Sequence, residues 1–253
     1  MPETILEVNN LKKKFKYNLR TITVLEWVNL TVSKWEIYWF LGPNWSWKTT
    51  TLKCILGFLK YNEWEINLFG KKFENNKETY QKIGYAPENT YFYDHLNGIE
   101  FLIFMGQLNG MTKQKAELVG MELIKKVWLE NASDKFVKYY SKGMKQRLGL
   151  AASLINDPEI IFWDEPMSWL DPLWRVLVKK LMVELKEQGK TIFFNTHILS
   201  DVQEIADSFS IIYEGNMLYE GKVSDLKISL EEFFINTIKD SEKEDIEEEE
   251  KTE

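Results

Sequence analysis

The sequence predicts an α/β fold with a largely parallel sheet. Short apolar segments of strand character alternate with amphipathic helical ones along most of the 253 residues. One such strand, "EIYWFLG", runs through a loop into "KTTTLKCILGFLK", whose Leu52, Ile55, Leu56 and Leu59 fall at helical spacing. From about residue 95 to 155 the pattern is helical throughout, which predicts a helical subdomain inserted between strands.

In chain order, "TILEVNNL" and "TVLEWVNLTV" are β-branched and partly alternating, as in strands. The basic "KKKFKYNLR" between them predicts an exposed turn. "EINLFGKKF" reads as strand and turn, and "KIGYAPEN" as a strand entering a loop. "IEFLIFMGQL", "KAELVGMELIKKV" and "MKQRLGLAASLI" make the helical block. "EIIFWDEP" (strand), "RVLVKKLMVELKEQG" (helix), "TIFFNTH" (strand), "LSDVQEIAD" (helix) and "SIIYEGNMLYEG" (hairpin) follow. The expected organisation is one domain over 1–228, with an extension over 229–253.

Composition narrows the class. No apolar run approaches the length of a membrane span. The start lacks a basic-then-apolar leader pattern. The single cysteine, Cys54, forms no internal disulfide and fits a reducing cytoplasm. Of the net charge of −7, the stretch from Lys239 to Glu253 carries −6, with nine acids against three lysines. That composition predicts a solvated, disordered tail. The remaining body is not basic, so no nucleic-acid partner is expected.

The chemistry concentrates at "GPNWSWKTT", residues 42–50. The pattern G-x-x-x-x-G-K-[ST] wraps main-chain amides around phosphate oxygens. Its lysine reaches the outer phosphates and its hydroxyl binds Mg²⁺. Gly42, Lys48 and Thr49 fit this pattern, but Trp47 stands where the second glycine belongs, with Trp45 two residues before it. Further on, an apolar strand ends in Asp164 and Glu165. Carboxylates at a strand tip can hold Mg²⁺ or activate a water, and they also serve as plain helix caps. Ser141 in "YYSKGMKQR" reads equally as a helix cap.

Taken in order, these segments with "SWLDP" and "NTH" resemble the ATP-binding subunit of ABC transporters over about residues 4–225. The resemblance implies a P-loop NTPase with a RecA-like core, an antiparallel β subdomain and a helical insert. It implies that Gly42, Pro43, Asn44, Trp45, Ser46, Trp47, Lys48, Thr49 and Thr50 form the Walker A phosphate loop for ATP. "IIFWDE" resembles Walker B, with Asp164 on Mg²⁺ beside Thr49 and Glu165 as catalytic base. "YSKGM" resembles the signature segment through Ser141 and Gly143, "SWLD" the D-loop, and His197 the switch histidine. Glu88 in "YAPEN" stands where a metal-contacting glutamine is usual. Phe15, with Tyr17 as alternative, falls in the region of the adenine-stacking aromatic.

The family resemblance further implies a head-to-tail dimer, homomeric or heteromeric, that sandwiches two ATP molecules. It also implies a separate transmembrane permease, a cytoplasmic location on the inner face of the membrane, and ATP hydrolysis that powers transport. "PENTYFYDHLNGIEFLIFMGQLNG" and "PMSWLDPLWR" look most like exporter-type systems. The alternatives are a nucleotide-dead or regulatory module of the same family, and a family ATPase outside transport.

The ten tryptophans decide between active and dead. Nine stand where glycine is common in the family; Trp163 is the doubtful one. Substituting glycine turns "GPNWSWKTT" into "GPNGSGKTT" and "SKWEI" into "SKGEI". Some bacterial lineages read UGA as glycine while others read it as tryptophan, so a gene of the first kind translated with the second table yields this pattern. The expectation is UGA at these codons. Intact mass of natively produced protein should fall below the all-tryptophan value by whole multiples of the Trp–Gly difference; agreement with the all-tryptophan mass rules the idea out.

Overall fold

Strand-forming residues at the start of the chain build two long partners, β1 (Thr4–Tyr17) and β2 (Arg20–Ser33). They pair antiparallel from Thr4↔Ser33 to Tyr17↔Arg20. Their inward residues, among them Leu6, Val8, Leu11, Leu25, Val28 and Leu30, are fully buried or nearly so. The structure, a computed structural model, describes residues 3–17, 20–60, 62–199 and 203–252. The chain divides into two units: Met1–Phe73 with Thr196–Glu253, and Glu74–Asn195.

In the first unit, β1 lies between β2 and β4 (Glu63–Leu68), and β5 (Lys71–Lys72) flanks β4. The exposed turn expected over 12–20 is corrected: residues 12–17 continue β1. Lys13 to Tyr17 pair with β2, Lys12 pairs with Glu63 of β4, and the Lys14 amide donates to Asn62 Oδ1, so main-chain groups here find partners. The Lys13 stem turns inward, its Nζ donating to the Lys60 carbonyl and lying 4.6 Å above the Phe15 ring. The apolar β3 (Ile37–Leu41) is wholly buried and runs parallel to β9 (Ser208–Tyr213). β10 (Asn216–Lys222) returns antiparallel through Glu214 and Gly215, both at positive φ, which is the backbone of a tight hairpin. α1 (Lys48–Ile55) follows β3. The helix expected over 199–207 lies partly outside the described residues; residues 203–205 form a turn.

The acidic tail is the second correction. It is helical, in α7 (Leu230–Thr252). Leu230 is buried, and the Phe233 ring packs edge-on to Tyr219 and Phe209 at 4.7 and 6.0 Å between centroids. Tyr213 Oη donates to Glu242. Once the first turn is anchored, each further residue adds one backbone bond, and Glu and Lys propagate a helix readily. Charge composition alone does not register that anchor.

The second unit begins with a short α2 (Lys77–Gln81) capped by Asn76, and then β6 (Ile83–Ala86). α3 (Gly98–Leu108), α4 (Lys113–Lys126) and α5 (Lys142–Ser153) form the expected helical block. Each has a side-chain N-cap: Asn97 in a capping box with Glu100, then Thr112, then Ser141. β7 (Ile160–Asp164) and β8 (Thr191–Asn195) flank α6 (Pro172–Glu187), whose N-cap is Asp171. β6, β7 and β8 are parallel, and every residue of β7 and β8 is buried. Continuous apolar runs of this kind are the mark of a parallel sheet covered on both faces.

Among the described residues, eleven that are not glycine have positive φ, and six of them are tryptophan: Trp27 (56°), Trp35 (63°), Trp45 (74°), Trp47 (69°), Trp128 (54°) and Trp169 (65°). Left-handed backbone costs a residue with a Cβ about 1–2 kcal/mol and a glycine nothing comparable. Trp35 and Trp45 are 60 % and 91 % exposed, so little packing offsets that cost. Trp163 is the opposite case: it is fully buried in β7, with Nε1 donating to Ser153 Oγ at 2.9 Å. In a chain with tryptophan at all ten positions, Trp45→Gly should raise stability by about 1 kcal/mol, whereas Trp163→Gly should cost about 3–5 kcal/mol in cavity formation. Urea midpoints at unchanged slope measure both.

Candidate nucleotide site

The loop from Gly42 to Trp47 is shaped by its main chain. β3 ends against β9, so Gly42 sits where a Cβ would collide with the Ile212 carbonyl and with Ser46 Oγ. Only glycine fits there. Ser46 is buried and donates through Oγ to the Pro43 carbonyl at 2.8 Å, which closes the turn. Asn44 and Trp45 lie on its exposed side. Trp47 holds the N-cap position of α1 with φ 69° and ψ 22°. It offers no side-chain cap, so the positive end of the helix faces the loop with only main chain at the cap. Anions bind such ends through amide N–H groups.

Lys48 begins this helix, yet it is only 7 % exposed. Its Nζ donates to the carbonyls of Gly42 (2.6 Å) and Pro43 (2.9 Å), so the ammonium is folded back across the loop. Thr49 and Thr50 follow, both half-buried, and Thr51 donates from N and Oγ1 to the Trp47 carbonyl. In the same unit Phe15 is 36 % exposed on β1, Tyr17 is 70 % exposed at its end, and His197 is exposed two residues beyond β8.

In the second unit the carboxylate pair ends β7. Asp164 is 1 % exposed and Glu165 8 % exposed. Asn195 Nδ2 donates to Asp164 Oδ1 at 2.7 Å, while Asn195 Oδ1 accepts the Glu165 amide at 2.7 Å. Glu165 has φ 51°. Its carbonyl accepts from Gln146 Nε2 at 3.2 Å. Burial pushes the Tyr85 phenol up, and the negative charge of Asp164 pushes it further.

Glu88 is half-buried and shares a pocket of about 130 Å³ with Thr90, Lys142 and Gln146. Ser141 caps α5, its Oγ accepting the Met144 amide at 3.2 Å. A Cβ on Gly143 would come within 3.1 Å of the Trp169 carbonyl, tighter than ordinary contact. Ser141 and Gly143 border a cleft of about 310 Å³.

Residues 42–50 therefore form one loop and the first turn of α1, and Asp164 and Glu165 are held side by side at one strand end. Glu88 and the Ser141–Gly143 turn line two pockets that share Lys142. Asn195 and Gln146 went unnoticed in the sequence. A polar residue closing the apolar run "TIFF" was the available signal for Asn195; Gln146 gave none.

The ABC transporter family profile matches residues 25–168. The chain belongs to the ABC transporter family. This ABC protein is 40 % identical over 222 residues to an uncharacterized ABC transporter ATP-binding protein of Synechocystis sp. PCC 6803, covering 87 % of the chain and 62 % of that relative. It is 35 % identical over 234 residues to the lantibiotic transport ATP-binding protein SrtF of Streptococcus pyogenes, covering 92 % of the chain and 97 % of the relative. A solved ATP-binding subunit of an ABC transporter superposes with a TM-score of 0.82 at 29 % identity, over 93 % of the chain and all of that structure. The fold is thus that of an ABC ATPase, with the parallel strands, antiparallel sheet and helices described above.

The family implies Mg²⁺ with the nucleotide. Among the described residues no group of three or more His, Cys, Asp or Glu gathers as an ion cage. Mg²⁺ needs none: it takes one or two carboxylates and completes its shell with phosphates and water. A buried, hydrogen-bonded Asp164 suits that hard ion. For Lys48, substitution by Ala removes two charge-assisted bonds that hold the loop, each worth about 1.5–3 kcal/mol. The Lys48→Ala chain should bind ATP at least about tenfold more weakly by equilibrium titration.

Proposed function

We propose that the chain binds and hydrolyses ATP to power an exporter-type ABC transporter. The observation that carries this reading is the loop before α1: a helix N-terminus with no side-chain cap, entered through a glycine that nothing else can replace, and crossed by a buried lysine. Lys48 and the loop amides hold the outer phosphates in this proposal. Pro43, Asn44, Ser46 and Thr50 shape the loop, and Phe15 stacks on the adenine. Thr49 and Asp164 would hold Mg²⁺, with Glu88 as a further candidate ligand, and the ion would supply neutralisation of phosphate charge. Glu165 draws a proton from the attacking water, and His197 senses the terminal phosphate. Ser141 and Gly143 contact the nucleotide held by a second ATP-binding subunit.

No helix among the described residues is long and apolar enough to cross a membrane. In this reading a separate permease supplies the path, and the chain works at the cytoplasmic face through it. The name of the lantibiotic transport relative supports a role in transport.

The same proposal takes residues 45 and 47 to be glycine in the living molecule, decoded from UGA. The support is conformational. Six of the ten tryptophans occupy backbone that favours glycine. Trp39 and Trp163 add none, since both are buried with Nε1 bonded, to the Thr196 carbonyl and to Ser153. In the glycine form, Glu165→Gln should bind ATP and dimerise while turnover falls by about two orders of magnitude or more. A phosphate-release assay alongside size-exclusion with ATP checks both; near-normal turnover takes the base role away from Glu165.

A further inference from the structure

We infer that Asn195 and Gln146 are positioning residues for ATP hydrolysis: Asn195 orients the Asp164 carboxylate, and together they clamp both ends of the Glu165 main chain, tying it to α5. The inference deepens the ATPase reading above and rests on it.

The register of two parallel strands creates the first half of the clamp. Asp164 and Asn195 are the last residues of β7 and β8 and lie opposite one another. Asn195 is fully buried. Its amide group donates to the Asp164 carboxylate and accepts from the Glu165 N–H, each at 2.7 Å. Its own carbonyl also accepts that N–H, at 3.2 Å. The orientation of the side-chain amide is forced. A main-chain N–H can only donate, so Oδ1 must face Glu165, which leaves Nδ2 for the carboxylate. No other side chain of this length offers one donor and one acceptor side by side. Serine is too short to reach both, aspartate sets acceptor against acceptor, and leucine fills the space with neither bond.

Gln146 makes the second half. It is buried on α5, five residues past the Ser141 cap, and donates to the Glu165 carbonyl. The Ser168 amide donates to the same carbonyl at 3.1 Å. Glu165 is a non-glycine residue at φ 51°, a conformation that persists only when its surroundings over-determine it. Here they do, from Asn195 on the N–H side and from Gln146 and Ser168 on the C=O side. Those bonds set the direction in which the Glu165 side chain leaves the main chain. The bond from Gln146 makes that direction depend on where α5 sits. The helix that presents Ser141 and Gly143 at its start is therefore joined by one side chain to the proposed base.

The clamp predicts two separable defects. Asn195→Leu, with Asn195→Ser as the milder variant should the first not fold, loosens Asp164. The Mg²⁺ concentration for half-maximal turnover should rise about 10–100-fold, the usual effect of removing a partner that orients a metal ligand. ATP affinity in chelator should stay unchanged. Mn²⁺ titrated by electron paramagnetic resonance into the ATP-saturated Glu165→Gln background should show the same weakening without any turnover. Gln146→Met should lower kcat about tenfold and leave both the metal requirement and ATP affinity as they were. If Asn195 and Gln146 variants keep the kcat and metal requirement of the parent chain, the clamp is overturned while the ATPase reading stands. Losses that merely follow a drop in Tm and in ATP affinity together also overturn it, since that is the mark of a damaged fold. A parent chain that neither binds nor hydrolyses ATP overturns the ATPase reading and takes the clamp with it.

Discussion

The constraint beneath the whole candidate site is the left-handed main chain between β3 and α1. The loop must turn from strand to helix within a few residues, and it does so by placing residues 45 and 47 at φ 74° and 69°. Everything local follows from that turn. Ser46 is drawn in to bond Pro43, Lys48 folds back over the carbonyls of Gly42 and Pro43, and the start of α1 is left capped by main chain alone. A Cβ at either position strains the turn, and an indole adds bulk at its rim. The backbone thus records which residue type this loop accommodates, whatever side chain stands there.

A second constraint operates where the parallel strands end. Parallel β-strands align their carboxyl ends, and ligands of open α/β sheets gather outside those ends. β7 and β8 stop in register at Asp164 and Asn195, so an acid and an amide meet in a buried place. An isolated ionised carboxylate there would be costly. The amide compensates by donating to it, and the polarity needed for chemistry becomes compatible with a dry core. Glu165, one residue on, takes up the strain of the strand-to-loop turn.

Much of this was legible from residue order. Continuous apolar runs predicted β3, β7 and β8, and caps such as Asn97, Ser141 and Asp171 stand at helix starts as their chemistry requires. The family was readable because its motifs keep fixed residue types at fixed spacing, and the proposed phosphate loop and carboxylate pair were picked out on the same ground. What was misread depended on partners remote in sequence. Lysines 12–14 and 16 read as a turn because charge suggests exposure, yet pairing with β4 at Lys12 and with β2 beyond it carries them as strand. The acidic tail read as disordered because its anchor, Phe233 against Tyr219 and Phe209, is an aromatic contact made across the sheet.

By itself the sequence determined the α/β class, the position of the proposed phosphate loop, and the anomaly of tryptophan where glycine is usual, since each is a statement about residue type and spacing. Only the tertiary structure decided which of those tryptophans occupy left-handed backbone, because φ is set by the path the chain must follow between packed elements. It also decided that Asn195 and Gln146 grip Glu165. Those residues lie 30 and 19 positions away along the chain, and strand register and helix packing, not local spacing, bring them to it.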